Sequence, residues 1–199
     1  MLYNSLIINE RYKIMDHLEA IVSLNNIVNP NFSKKIVSLI DKKAKKNLKV
    51  GSEGDELINK KVRNVKGYQL NFDTPRNEFY WNLIKKEIER LYVYYTIKFP
   101  KMSSNKINQI DLLKYHVGGK YEVHIDHFST TTRCLSVIIN LNDNYKGGNL
   151  VFTDQKEIEI KRIKLQKNSI VFFPSNFLYP HTIEPILKGT RYSIVAWLQ

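Results

Sequence analysis

The side chains with chemistry to offer lie between Tyr115 and Trp197. His124 and Asp126 stand two apart in YEVHIDHF, His181 follows far downstream in YPHTIEP, and Arg191 comes ten residues after it in GTRYSIVAWLQ. Two imidazoles and one carboxylate occupy one face of a metal ion and leave the opposite positions open, a donor set that suits non-haem Fe(II). Side chains alternate along a strand, so an extended YEVHIDHF turns His124 and Asp126 one way and His127 the other. His181 then has to arrive on a different strand. The Arg191 guanidinium is a planar fork that can hold a carboxylate through two parallel hydrogen bonds. An H-x-D triplet alone is weak evidence, and for His17 and His116 an ordinary hydrogen-bonded position is expected. The combination carries the weight.

The elements that position these groups are legible as a change of period. In NPNFSKKIVSLIDKKAKK, Asn29 is a helix cap, Pro30 the first helical residue, and Phe32, Ile36, Leu39 and Ile40 a buried face. In DTPRNEFYWNLIKKEIERLYVYYTIKFP, Thr74 or Asp73 caps a second helix that starts at Pro75 and ends at Pro100. Its expected buried stripe is Phe79, Leu83, Ile84, Ile88, Leu91 and Tyr95. Residues 1–28 suggest an amphipathic helix and a short strand, and the glycine-bearing stretch 50–67 a mobile loop with a short strand in it, either a lid or a plain connector. From Ile107 the pattern alternates with frequent turn signals. In KEIEIKRIKLQ the apolar parity switches, which predicts a turn or bulge at Lys161–Arg162. Helices first and many short strands afterwards argue for a mainly β jelly roll buttressed by N-terminal helices. One domain over residues 1–199 is expected, with 1–105 a mostly helical support and 106–199 the jelly-roll core that carries the metal site.

Composition narrows the setting. The chain has 199 residues, 43% of them hydrophobic, enough for one real core. No apolar run approaches a membrane span, and MLYNSLIINERYK lacks the features of a signal peptide. Cys134 is the only cysteine, so no intrachain disulfide forms; it reads as a small buried hydrophobe in a protein of the reducing cytoplasm. The net charge of +12 has two readings, an acidic partner such as nucleic acid or a merely lysine-rich soluble surface, because the charge is spread along the chain.

With these residues in place, roughly the C-terminal half resembles the Fe(II)/2-oxoglutarate-dependent oxygenases, and within them the prolyl-4-hydroxylase-like branch. The resemblance implies a double-stranded β-helix in which His181 and Arg191 stand on facing sheets, although a simple hairpin across Pro185–Gly189 would pair them. It implies Fe(II) held by His124, Asp126 and His181, with 2-oxoglutarate and O2 as co-substrates. Arg191 matches the residue that anchors the distal carboxylate of 2-oxoglutarate, and Tyr115 the tyrosine that supports the same carboxylate. Ser136, Ile138 and Asn140, with Leu150, Ile183 and Trp197, are implied to line the co-substrate pocket. Many prolyl hydroxylases carry tyrosine where this chain has Asn140, a departure that touches the polar contacts of the co-substrate. Arg133 matches an arginine at the pocket mouth that contacts substrate. Tyr121 matches a tyrosine near the metal, which its parity allows only if a bulge turns it inward. Gly147 and Gly148 match a GG-x-L turn.

The implied reaction is oxidative decarboxylation of 2-oxoglutarate to succinate and CO2, coupled to hydroxylation of an unactivated C–H bond, by analogy a prolyl residue of a peptide or protein. Two rivals differ in kind. A nucleic-acid-repair dioxygenase would use the positive charge, but no basic groove interleaved with aromatics is visible. A non-catalytic metal-binding jelly roll acting as an interaction module has no need of Arg191.

Overall fold

From Ile107 onward, alternation becomes strand pairing. A computed structural model describes residues 17–50, 57–104, 106–127 and 132–199. A 3-10 turn at His17–Ala20 leads into β1 (Val22–Leu24), then α1 (Pro30–Lys43), β2 (Lys46–Asn47), β3 (Arg63–Asn64), β4 (Lys66–Gln69) and α2 (Pro75–Lys98). The strand-rich half follows as β5 (Ile107–Tyr115), β6 (Lys120–His124), β7 (Leu135–Asn140), β8 (Tyr145–Gly147) and β9 (Leu150–Thr153). It ends with β10 (Glu159–Ile163), β11 (Ser169–Pro174), β12 (His181–Ile183), β13 (Ile186–Gly189) and β14 (Arg191–Leu198).

The large sheet has the order β1-β11-β7-β14-β5-β4-β2, the small sheet β10-β9-β12-β6-β3, and β13 pairs with β8 in a ribbon. Neighbours are antiparallel throughout. The two sheets close on each other as a jelly roll. Strand β7, LSVIIN, is buried at every position because both its faces are covered. Val137 and Ile139 join Leu112, Ile194 and the two helices in one core, while Ile138 joins Leu113, Phe152 and Phe173 in the other, between the sheets. Period two therefore sends Ser136, Ile138 and Asn140 toward the small sheet.

Both helices begin at the expected caps. Asn29 accepts from the amides of Asn31 and Phe32 ahead of Pro30, and Thr74 accepts from the amide of Asn77 ahead of Pro75. The buried stripe of α2 is Asn77, Trp81, Ile84, Ile88, Leu91 and Tyr95, at alternating steps of four and three. Phe79 is 52% exposed, contrary to expectation: it stands two residues from both Asn77 and Trp81, about half a turn off that stripe. There it lies under the Lys35 ammonium and edge-on to Tyr80.

The N-terminal half supplies strands as well as helices. β1, β2 and β4 extend the large sheet and β3 extends the small one. These strands are two to four residues long, too short to carry a period, so the stretch 50–67 reads as a loop with a short strand in it, where β3 and the start of β4 stand. The helix suggested near the N-terminus falls largely outside the described residues, as does part of the suggested lid, residues 51–56. The strand irregularity lies between Glu159 and Lys161, one residue earlier than the parity switch implied. Cys134 is exposed instead of buried, because it precedes β7 at the sheet end; its amide and carbonyl bond to Leu198 and Ser175 while its thiol faces out. Among the described residues, no helix is long and apolar enough to cross a membrane.

Candidate metal centre

His124 ends β6 and His181 begins β12, and these strands pair with the two histidines directly opposite one another. Asp126 lies just beyond β6. One ligand atom from each of the three falls within 4.8 Å of the others. The Nε2 atoms of His124 and His181 stand 3.6 and 3.7 Å from the two Asp126 carboxylate oxygens. A single ion with bonds of roughly 2.1 Å can bridge such separations.

Backbone carbonyls set the ring orientations. The Nδ1 of His124 is 2.8 Å from the Glu122 carbonyl, and that of His181 is 3.0 Å from the Tyr179 carbonyl. A carbonyl can only accept, so each Nδ1 carries the hydrogen and each Nε2 presents its lone pair to the centre. Burial pushes the pKa of His181 down to about 4, which keeps the ring neutral at pH 7. Burial also works to raise the Asp126 pKa, but His181, His124 and the Ser136 hydroxyl outweigh it and hold the carboxyl well below the usual carboxylate range. Ser136 Oγ donates to Asp126 Oδ2 at 2.7 Å and is itself 2.8 Å from Ser175 Oγ. His181 packs edge-on against Phe173 and is tilted against Phe152. The donor set converges from three side chains and is supported from behind, and it fits a divalent ion of the non-haem iron kind.

The cavity beside the triad is lined by Leu113, Tyr115, Ile138, Ile183, Arg191 and Val195, with Arg63, Tyr121 and Trp197. Arg191 is 1% exposed, with its guanidinium carbon 5.0 Å from the centre of the Tyr115 ring. Its Nε donates to Asn140 Oδ1 at 3.0 Å, while Nη1 is buried with no partner. An orphaned buried guanidinium N–H is costly unless something fills it, and a carboxylate entering the cavity is the natural acceptor. Burial pushes the Tyr115 phenol pKa up, so it stays a neutral hydrogen-bonding group. The residues present therefore fit a diacid as well as a metal.

Each residue singled out in the sequence has a definite place. Arg191 and His181 stand on different sheets, as the fold resemblance implied and a simple hairpin did not. Tyr121 reaches the centre by the bulge its parity required: Ile183 pairs with Tyr121 two residues after His181 pairs with His124, which leaves one extra residue on β6. The Tyr121 ring then stacks on His124 with centroids 3.6 Å apart. Ile138 and Ile183 line the cavity, whereas Ser136, Asn140 and Leu150 stand behind it: Ser136 supports Asp126, Asn140 supports Arg191, and Leu150 is fully buried opposite Ile183. Trp197 lies toward the other end of β14 from Arg191 and is covered by the Arg133 guanidinium at 3.9 Å. Arg133 also donates to the Asp126 carbonyl and to Gln109 Oε1. His127 is exposed and turned away.

Two groups were not found from sequence. Arg63, on the two-residue strand β3, lines the cavity with its guanidinium 4.7 Å from the Tyr121 ring and 3.9 Å from the Asp111 carboxylate. Asp111 shares the inward parity of Leu113 and Tyr115 but sits in a run of apolar residues with no motif around it; burial pushes its pKa up.

Comparisons with known proteins agree with this geometry. The family model described as 2OG-Fe(II) oxygenase superfamily matches residues 110–199. A PKHD-type hydroxylase of Gloeothece citriformis is 33% identical over 100 residues, covering 47% of this chain and 44% of the relative. One from Aliarcobacter butzleri is 26% identical over 157 residues, covering 73% and 64%. The chain spans less than half the length of the first curated relatives it matches. Among solved structures, a prolyl hydroxylase of Trichoplax adhaerens, in complex with a hypoxia-inducible-factor peptide, superposes with TM-score 0.72 at 19% identity, covering 92% of this chain and 85% of that one. A Pseudomonas putida prolyl-4-hydroxylase gives 0.70 at 14% identity, covering 90% and 92%. The chain thus shares its fold with prolyl hydroxylases, and its His-Asp-His centre lies inside the segment that is similar to the 2OG-Fe(II) oxygenase superfamily.

Proposed function

We propose that this protein is an Fe(II)- and 2-oxoglutarate-dependent dioxygenase that hydroxylates a prolyl residue of a peptide or protein. The observation that carries the reading is one cavity shared by two groups of residues: a three-ligand metal face and, beside it, a buried arginine with an orphaned N–H. Simple metal storage does not require the second.

His124, Asp126 and His181 would hold Fe(II), and Arg191, backed by Tyr115, would hold the distal carboxylate of 2-oxoglutarate. Bound there, the iron supplies oxidative decarboxylation of 2-oxoglutarate to succinate and CO2, coupled to oxygen insertion into a C–H bond. The remaining work belongs to the chain. Nδ1–H donation to backbone carbonyls aims both imidazoles, Ser136 orients the carboxylate, and the apolar side chains Leu113, Ile138, Ile183 and Val195 exclude water. No side chain is needed as a general base. Arg133, which covers Trp197, and Tyr121, which stacks on His124, would contact the substrate, and the peptide bound by the Trichoplax protein supports a peptide substrate here. The single, undisulfided cysteine supports a cytoplasmic location.

The test is anaerobic addition of Fe(II) and 2-oxoglutarate to the metal-free protein, read by the charge-transfer absorbance of the chelate, followed by oxygen and a succinate assay. Proline-containing peptides should stimulate succinate formation. Stimulation by methylated single-stranded DNA instead would move the substrate to nucleic acid and give the +12 charge a role. Absence of any chelate would overturn the reading.

A further inference from the structure

The closed end of the cavity contains an arrangement that the metal chemistry does not call for. Asn140 sits behind Arg191 with its amide fixed in one orientation. Its Nδ2 faces only backbone acceptors, the carbonyls of Asn142 at 2.7 Å, Gln166 at 3.0 Å and Leu165 at 3.5 Å. Its Oδ1 faces only donors, Arg191 Nε at 3.0 Å and the Tyr145 hydroxyl at 3.2 Å. A flipped amide would set an oxygen against three carbonyls, so no second orientation competes. The Tyr145 hydrogen is shared with the Leu165 carbonyl at 3.4 Å, which ties the phenol to the same loop that holds the amide. The phenol also lies within hydrogen-bonding reach of the Arg191 guanidinium, and burial pushes its pKa up, so it stays protonated across the neutral range.

A guanidinium held by its Nε edge points its far end away from the holder. Here that end includes Nη1, the atom with no partner. Gly148 makes the approach possible: a Cβ there would meet Ile186 Cδ1 at 2.4 Å and Tyr145 Cε2 at 3.3 Å, and would lie 3.5 Å from Arg191 Cδ. On its outer side Tyr145 lines a cleft of about 890 Å³. The phenol is therefore the wall between solvent and the arginine.

We infer that Tyr145 is a positioning residue which, through the locked Asn140 amide and its own contact with the guanidinium, holds Arg191 with its Nη1 end toward the cavity, and thereby sets the affinity for a 2-oxo acid that carries a distal carboxylate. This deepens the functional reading above and rests on it. Removing the hydroxyl leaves Asn140 in place but frees one of the two donors that pin its oxygen. A hydrogen bond of this kind corresponds to a factor of about 5–10 in binding.

The experiment loads the protein with Mn(II) and titrates 2-oxoglutarate and 2-oxobutyrate, which lacks the distal carboxylate, by calorimetry. Tyr145→Phe should raise the Kd for 2-oxoglutarate about 5–10-fold and leave 2-oxobutyrate unchanged within about twofold. A merely structural defect would weaken both equally. A second variant, Asn140→Asp, places a carboxylate against Arg191 and should weaken the diacid by about 100-fold or more, again sparing the monoacid. In the metal-free protein, the Arg191 Nε–H resonance should exchange with solvent faster in Tyr145→Phe than in the wild type. Wild-type affinity for 2-oxoglutarate in Tyr145→Phe, or equal weakening of both acids, overturns this inference alone. Failure of the wild-type protein to bind 2-oxoglutarate overturns the functional reading and this inference with it.

Discussion

Replacing Ser136 with alanine tests the metal centre without touching a ligand. The Ser136 hydroxyl donates to Asp126 Oδ2 at 2.7 Å, and both residues are buried. A hydrogen bond to a buried charge is worth about 1.5–3 kcal/mol, and loss of a group that orients a metal ligand lowers metal affinity by about 10–100-fold. The two estimates agree, since each factor of ten is about 1.4 kcal/mol. Ser136→Ala should therefore bind Fe(II), or Co(II) as a spectroscopic substitute, about 10–100-fold more weakly in anaerobic competition against a chelator. Ser175→Ala supplies the comparison. Ser175 Oγ reaches Ser136 but makes no hydrogen bond to Asp126, so its loss should cost less than tenfold. The metal-free Ser136→Ala protein should also melt a few degrees lower, which alone decides nothing. Metal binding within about threefold of wild type, with the fold intact by circular dichroism, would refute the view that Ser136 holds the carboxylate in place.

Other expectations follow from the same coordinates. Arg191→Ala should abolish measurable 2-oxoglutarate binding by calorimetry while leaving the metal Kd within a few-fold, because the arginine touches none of the three ligands. Stability of the metal-free protein should fall on acidification. His181 has a folded pKa of about 4, below its ordinary value of 6.5, so the unfolded chain binds its proton first; the contribution is whole above pH 6.5 and is lost progressively toward pH 4, by about 3 kcal/mol in urea titrations, and a flat profile over that window would contradict the burial argument. Gly118 and Gly147 both have positive φ, 76° and 77°, but a Cβ at Gly118 meets nothing within 4 Å, whereas at Gly147 it comes 2.2 Å from the Pro185 carbonyl oxygen. Gly118→Ala should cost about 1–2 kcal/mol and Gly147→Ala clearly more, a ranking that chemical denaturation reads directly.

How much was legible in the sequence depended on element length. Caps and long stripes were readable because they repeat: Asn29-Pro30 and Thr74-Pro75 start helices where they should. Even there, Phe79 was assigned inward on hydrophobicity when the helical period placed Trp81 on that stripe. On the strands, parity located Ser136, Ile138 and Asn140 on the inward face, but not which of them line the cavity and which stand behind it. That difference is one of depth, and depth is set by partners distant in sequence, Asp126 for Ser136 and Arg191 for Asn140. Arg63 was unreadable for a stricter reason. A two-residue strand has no period, and its neighbour Tyr121 is brought inward by a bulge that exists only once the strands are paired. Cys134 was misplaced because its side-chain type suggested burial while its position, just outside β7, dictated exposure.

The placement of the site across two sheets explains why the support groups matter as much as the ligands. His124 and His181 belong to the small sheet, and Arg191, Tyr115 and Asn140 to the large one. The span from metal face to arginine is therefore set by how the sheets pack. Phe152 from the small sheet and Phe173 from the large one meet edge to face at 5.0 Å between centroids, and Phe173 continues onto the His181 ring at 4.8 Å. That wedge fixes the spacing by apolar contact, which has little directionality. Direction comes from Asp126, which leaves the small sheet and is held by Ser136 on the large one. One buried hydrogen bond thus registers the metal-binding sheet against the sheet that carries the carboxylate anchor. A co-substrate that must reach both at once gains from a span fixed before it arrives, because the ordering cost is then met in folding and not in binding.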